Sequence, residues 1–291
     1  FISISLLPLV TRGLNFVIDF GSSFTDLNEL NLAFLLVVSV YALYGLVDDL
    51  VDINRKLKII LPISFSFPLI SLIHPESIWI PFVGDFNLMQ NLSSDILWND
   101  AFRLIVIPVY VMVVSNLVNM HSGYNGLQTG LSIIILSTLL VKSWQDDLLD
   151  RVLPAGAFLG AMMALLFFNK YPAKVFEGNI GSLLFGSVIG SVVVIQQYWW
   201  FGFFILLPHI FNLFLWVFWI LMMKRSPEQY LERNGEHRKF GSIRKDNSLE
   251  VPNRLTLKWI PNYYFVLTEK QTTPILYLIT LVFCFAGIII F

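Results

Sequence analysis

The chain has 291 residues, 56% of them apolar and only 13% charged, with a mean hydropathy of +0.71. That composition excludes a soluble globular domain, and the formal net charge of −1 excludes a general nucleic-acid binder. Cys284 is the single cysteine, so it can form no internal disulfide and says nothing about redox compartment.

Taken in chain order, the uncharged runs predict membrane crossings of about 20 residues each. Phe1 to Ile18 is the weakest, because Pro8 and Arg12 interrupt it. Leu30 to Val47 and Ile59 to Pro75 supply one each, Leu104 to Val141 two, Val152 to Asn169 one, Gly178 to Met223 two and Gln271 to Phe291 one. The expected architecture is an all-α, polytopic transmembrane helical bundle of nine spans. It is read as one integral domain, 1–291, with an outer loop at 74–103 and an insert at 224–270. The chain opens without a basic n-region or a small-residue cleavage site, so no signal peptide is expected.

Alternating these spans collects the polar segments near Asp48, Asn119 and Lys170, together with the long insert, on one side. They hold most of the Lys and Arg, whereas the opposite side holds only Arg103, Lys142 and Arg151. The positive-inside rule makes the basic side cytoplasmic. The insert also carries LKWIPNYYFVL, whose aromatics beside Lys258 suit a segment lying at the membrane interface.

Chemistry-bearing motifs crowd that same side. In GLVDDLVDINRKLK, helical spacing brings Asp48, Asp49 and Asp52 near one face beside Lys56 and Lys58. Such a site could hold a hard cation or a phosphate-bearing ligand, or be a solvated helix end with ordinary ion pairs. In SNLVNMHSGYNGLQTG, Asn116 and Asn119 are one turn apart, and Gly123, Asn125 and Gly126 follow. Amides can ligate a metal or read a base edge, and glycines let backbone approach a ligand. The plainer reading is a helical hairpin with an Asn-Gly turn and a hydrogen-bonded asparagine pair. His121 is read as a turn residue, having no second ligand at metal spacing. In YPAKVFEGNIGS, Phe176 could stack on a flat ring and Asn179 opens a span, unless the stretch is only a polar interhelical turn. The basic run ERNGEHRKFGSIRK is rich in phosphate donors, including His237 and Arg238, and could equally contact anionic lipid.

These motifs, in this order, resemble the polyprenyl-phosphate N-acetylhexosamine-1-phosphate transferases, glycosyltransferase family 4, which includes eukaryotic dolichyl-phosphate GlcNAc-1-phosphate transferase and bacterial MraY and WecA. The match runs from about Tyr44 to the C-terminus. Ser122 and Asn125 stand where the bacterial branch has aspartates, and the triple histidine of MraY is absent, so the chain looks like the dolichol-type branch. Its compact insert resembles archaeal members. The resemblance implies ten spans, with the first expected to be missing here, and a site on the cytoplasmic face of a prokaryotic plasma membrane, or of the endoplasmic reticulum in a eukaryote.

It also implies transfer of GlcNAc-1-phosphate, or a related HexNAc-1-phosphate, from a UDP-sugar to polyprenyl or dolichyl phosphate with release of UMP. Mg²⁺ or Mn²⁺ would be the cofactor, membrane lipid and these substrates the partners, and a homodimer is compatible with it. By position, Asp48 and Asp49 match the paired aspartates and Lys58 the phosphate-contacting lysine, while Asp52, one turn on, is read from the residues as a substrate-binding carboxylate. Asn119 and Asn179 match metal ligands, with Asn116 one turn before Asn119. Gly123, Asn125 and Phe176 match the uridine pocket, and His237 and Arg238 the pair that closes on diphosphate and sugar. Two departures are Glu236, where the family has a further Arg, and Asn179, where it has Asp. Asn179 leaves three expectations: an enzyme supported by nearby carboxylates such as Glu177, an enzyme of lower metal affinity, or an inactive nucleotide- or lipid-binding relative. Activity is the one expected. The competing class is a transporter of an anionic substrate, which should place polar groups at mid-membrane and on both sides.

Overall fold

The computed structural model describes residues 23–51, 53–54, 56–92, 97–225 and 241–291. Its helices in chain order are α1 (Ser23–Val51), α2 (Leu57–Ile63), α3 (Phe67–Ile70), α4 (Trp98–Met120), α5 (Leu127–Gln145), α6 (Leu153–Asn169), α7 (Gly178–Gln196), α8 (Trp199–Ile205), α9 (Leu207–Arg225), α10 (Trp259–Tyr264) and α11 (Glu269–Ile290). Two small antiparallel hairpins complete it: β1 (Ser77–Ile80) with β2 (Gly84–Asn87), and β3 (Ser242–Ile243) with β4 (Leu249–Glu250).

Among the described residues, 7 helices are long and apolar enough to cross a membrane, so the polytopic helical bundle stands. The nine expected spans differ from this at two places. Phe1 to Ile18 lies outside the described residues. Ile59 to Pro75 folds as a shorter, broken helical segment, Leu57–Ile70, rather than a full crossing. Pro62 inside α2 and Pro68 in the first turn of α3 explain the break, because neither can donate a backbone hydrogen bond.

The chain divides into two compact units. The first comprises the described residues up to 116, with 139–161 and 177–199. Its centre is α7, which packs along α1. Small residues permit that approach: a Cβ added at Gly45 would sit 2.5 Å from the Asn179 carbonyl oxygen, and one at Gly186 would sit 2.5 Å from Ser115 Cα. Gly190 follows one turn after Gly186 and faces Val111 of α4, so the seam is the small-xxx-small pattern of membrane helix pairs. The broken α2–α3 segment runs beside α1, where Tyr41 donates to the Pro62 carbonyl at 3.0 Å and meets Phe65 edge to face. Arg103 donates to the Ile70 carbonyl at 2.8 Å.

The second unit comprises 117–138, 162–176 and 200–291. Its core joins Tyr124, Leu127 and Leu131 to Trp219 of α9, Leu257, Trp259 of α10 and Leu276 of α11. The segment LKWIPNYYFVL contributes to this core with Trp259 and exposes Tyr263, Tyr264, Phe265 and Val266, a one-sided distribution that suits an interfacial position.

Candidate active site

In the first unit the two adjacent aspartates have separate duties. Asp48, on the inner face of α1, is only 3% exposed. Its Oδ1 meets Lys58 Nζ at 2.9 Å and accepts the Ile53 N–H at 3.0 Å. Its Oδ2 is buried and has no hydrogen-bond partner among the described residues, an arrangement that costs free energy unless a ligand fills it. Asp49 is exposed, and its two oxygens accept the Asn179 and Ile180 N–H groups at 3.0 and 3.1 Å. It therefore caps α7 from a neighbouring helix, supplying the negative charge that a helix N-terminus favours. Glu177, at the N-cap position, makes no side-chain cap.

In the second unit the turn between α4 and α5 is held from the C-terminal segment. Gly123 has φ of +110°, and a Cβ there would lie 2.5 Å from Lys258 Nζ, so only glycine suits the position. Lys258 donates to the Ser122 carbonyl at 2.6 Å and lies over the Tyr124 and Trp259 rings. Burial lowers its pKa to about 8, against a smaller opposing pull from Glu269. Tyr124 donates to Asn262 Oδ1 at 3.2 Å. The Asn125 backbone N–H and side-chain amide both donate to Glu269 Oε1, while Asn125 Oδ1 accepts the Ala173 N–H at 2.7 Å. The following loop is suspended from α6, where Asn169 Nδ2 donates to the Val175 carbonyl at 2.8 Å and Thr129 donates to Asn169 Oδ1 at 3.0 Å. Phe176, next along, is 66% exposed.

His121 occupies the expected turn but is buried, its ring 4.6 Å from that of His209. Burial, then His209 and Lys258, hold its pKa well below the ordinary histidine value. Among the described residues no group of three or more His, Cys, Asp or Glu side chains could hold a metal ion, so this pair is not a closed transition-metal site.

Of the expected site residues, Asp48, Asp49, Lys58 and Asn179 come together in the first unit, and Gly123, Asn125 and Phe176 belong to the second. Asn116 and Asn119 lie on the last turns of α4, where Asn116 Nδ2 is bonded back to the Met112 carbonyl at 2.9 Å. Asp52, His237 and Arg238 lie outside the described residues. Sequence reasoning missed Lys258 as a buried cation and Glu269 altogether; their partners are 136 and 144 residues away, beyond any spacing rule. The hard oxygen at Asp48 Oδ2 fits a cation such as Mg²⁺, which keeps several waters and takes one or two carboxylates together with substrate phosphates.

Among known proteins, the chain is 35% identical over 154 residues to a Saccharolobus solfataricus protein provisionally named UDP-N-acetylglucosamine–dolichyl-phosphate N-acetylglucosaminephosphotransferase, covering 52% of this chain and 45% of the relative. It is 27% identical over 262 residues to a provisionally named glycosyltransferase of Methanocaldococcus jannaschii, covering 89% and 77%. It is 30% identical over 198 residues to a phospho-N-acetylmuramoyl-pentapeptide-transferase of Blochmanniella floridana, covering 60% and 54%. The chain thus spans about half the length of the first and third of these relatives. Residues 31–197, which contain most of α1, all of α4–α7 and the Asp48, Asn125 and Phe176 motifs, match the sequence profile of glycosyl transferase family 4, and the chain belongs to that family.

Proposed function

We propose that this protein is a membrane sugar-phosphate transferase that moves GlcNAc-1-phosphate, or a related HexNAc-1-phosphate, from a UDP-sugar to polyprenyl or dolichyl phosphate and releases UMP. This would be the first membrane step of a lipid-linked glycan, for protein N-glycosylation or a cell-surface polysaccharide, run at the cytoplasmic face of an archaeal plasma membrane. The observation that carries the reading is Asp48, a buried carboxylate with one oxygen bonded to Lys58 and Ile53 and the other without a hydrogen-bond partner among the described residues. The motif order and the names of the family relatives support the same reaction class.

In this reading Asp48 and Asn179 of the first unit would help to hold Mg²⁺ or Mn²⁺, which when bound neutralises pyrophosphate charge. Lys58 would stabilise phosphate oxygens, Phe176 would stack on uracil, and Gly123 and Asn125 would face the base. The acceptor lipid phosphate is already ionised near pH 7, so the protein needs chiefly to align it with the sugar-bearing phosphorus. Asn179 brings an amide oxygen without charge, which weakens divalent binding relative to aspartate.

The test is UMP release by the purified protein from radiolabelled UDP-GlcNAc, with polyprenyl phosphate and titrated Mg²⁺. Asn179→Asp is expected to lower the Mg²⁺ concentration for half-maximal rate by severalfold. No UMP release across a wide Mg²⁺ and Mn²⁺ range, with UDP still bound, would identify an inactive nucleotide-binding relative instead.

A further inference from the structure

We infer that Glu269 is a positioning residue that sets which pyrimidine base the site accepts, by locking the amide of Asn125 in one polarity. The inference rests on the reading that Asn125 faces the nucleotide base. Asn125 Oδ1 is spent on the Ala173 N–H, and its backbone N–H and Nδ2 are spent on Glu269 Oε1. Turning the amide over would set Oδ1 against the Glu269 carboxylate and Nδ2 against the Ala173 N–H, acceptor to acceptor and donor to donor. The orientation is therefore fixed by chemistry on both sides, and one N–H and one oxygen lone pair remain to be offered, in one order.

That order matters because uracil and cytosine differ by exchange of donor and acceptor. Uracil presents carbonyl, N–H and carbonyl along its pairing edge, whereas cytosine presents carbonyl, bare nitrogen and amino group. An asparagine free to rotate can satisfy either base by turning over, but one that is clamped satisfies one and leaves the other with unpaired polar groups. Mismatched polar groups of that kind are what a buried site rejects most strongly.

Glu269 is well placed to act as the clamp. It lies in the first turn of α11, whose start is fixed by a capping box between Thr268 and Gln271. Asn262 ties the same corner down by donating to the Leu267 carbonyl at 3.0 Å and accepting from Thr272 at 2.9 Å.

The experiment is calorimetric titration of the full-length protein in detergent with UDP and with CDP. The unaltered protein is expected to prefer UDP by roughly tenfold or more. Glu269→Ala, which frees the amide, is expected to shrink that preference at least fivefold, through weaker UDP binding. Glu269→Gln, which retains an acceptor without the charge, should fall between the two. In UMP-release assays the KM for the UDP-sugar should rise in Glu269→Ala while that for polyprenyl phosphate stays unchanged, a split that a general loss of structure does not produce. If Glu269→Ala does not fold, Glu269→Gln carries the test: its preference for UDP should fall measurably below that of the unaltered protein. An unchanged UDP-to-CDP ratio in folded Glu269→Ala, or in Glu269→Gln where the alanine variant does not fold, or equal affinity of the unaltered protein for both nucleotides, overturns the inference alone. Absence of any UDP binding by the unaltered protein overturns the proposed function beneath it.

Discussion

Lys258 shows how a single side chain can be both fixed in place and costly to keep charged. Its ammonium is wedged beneath Gly123 and bonded to the Ser122 carbonyl, yet burial lowers its pKa from 10.5 to about 8. The unfolded chain therefore holds a proton that the folded chain releases between those two values. Stability should rise with pH across that window, and the penalty for the charged form is complete below about pH 8. Thermal unfolding in detergent between about pH 8 and 9.5 should show an upward slope that Lys258→Met removes. At this scale the sequence was only partly legible. Asp48 and Asp49 are adjacent and chemically identical, and helical spacing says that both can approach one face. Only packing decides that Asp48 keeps an oxygen without a partner among the described residues while Asp49 is consumed by two backbone N–H groups. The amide of Asn125 was identifiable as a candidate base reader by its motif, but the carboxylate that orients it was not, because local periodicity cannot pair residues 144 positions apart.

At the scale of elements, α7 is the piece on which the first unit depends. Its small residues were visible in the sequence, and the structure shows what their smallness permits, since Gly186 clears Ser115 and Gly190 clears Val111. Gly186→Leu should cost about 1–3 kcal/mol through forced separation of α4 and α7, read as a lowered unfolding temperature. The long, uniformly apolar elements were the most legible, since α1, α4, α5, α6, α7, α9 and α11 all coincide with expected spans. The Ile59 to Pro75 run misled because hydropathy counts Pro62 and Pro68 as neutral, while the backbone loses a donor at each.

Viewed whole, the molecule carries apolar side chains on faces that a soluble protein would cover. On α11, Leu278, Val282, Phe285 and Ile289 are all exposed, and on α9 so are Phe211, Phe214, Phe218 and Leu221. Acyl chains are the natural cover for such surfaces. Leu278→Arg, near the centre of α11, should cost about 2.5–3.5 kcal/mol of insertion free energy, measured as the loss of membrane-integrated protein relative to Leu278→Ala. The same helix imposes a timetable on synthesis. Glu269 opens α11, yet its partner Asn125 is made 144 residues earlier. A nascent chain that has not reached α11 carries Asn125 without the carboxylate that orients its amide, so the proposed base selectivity would wait until α11 is made.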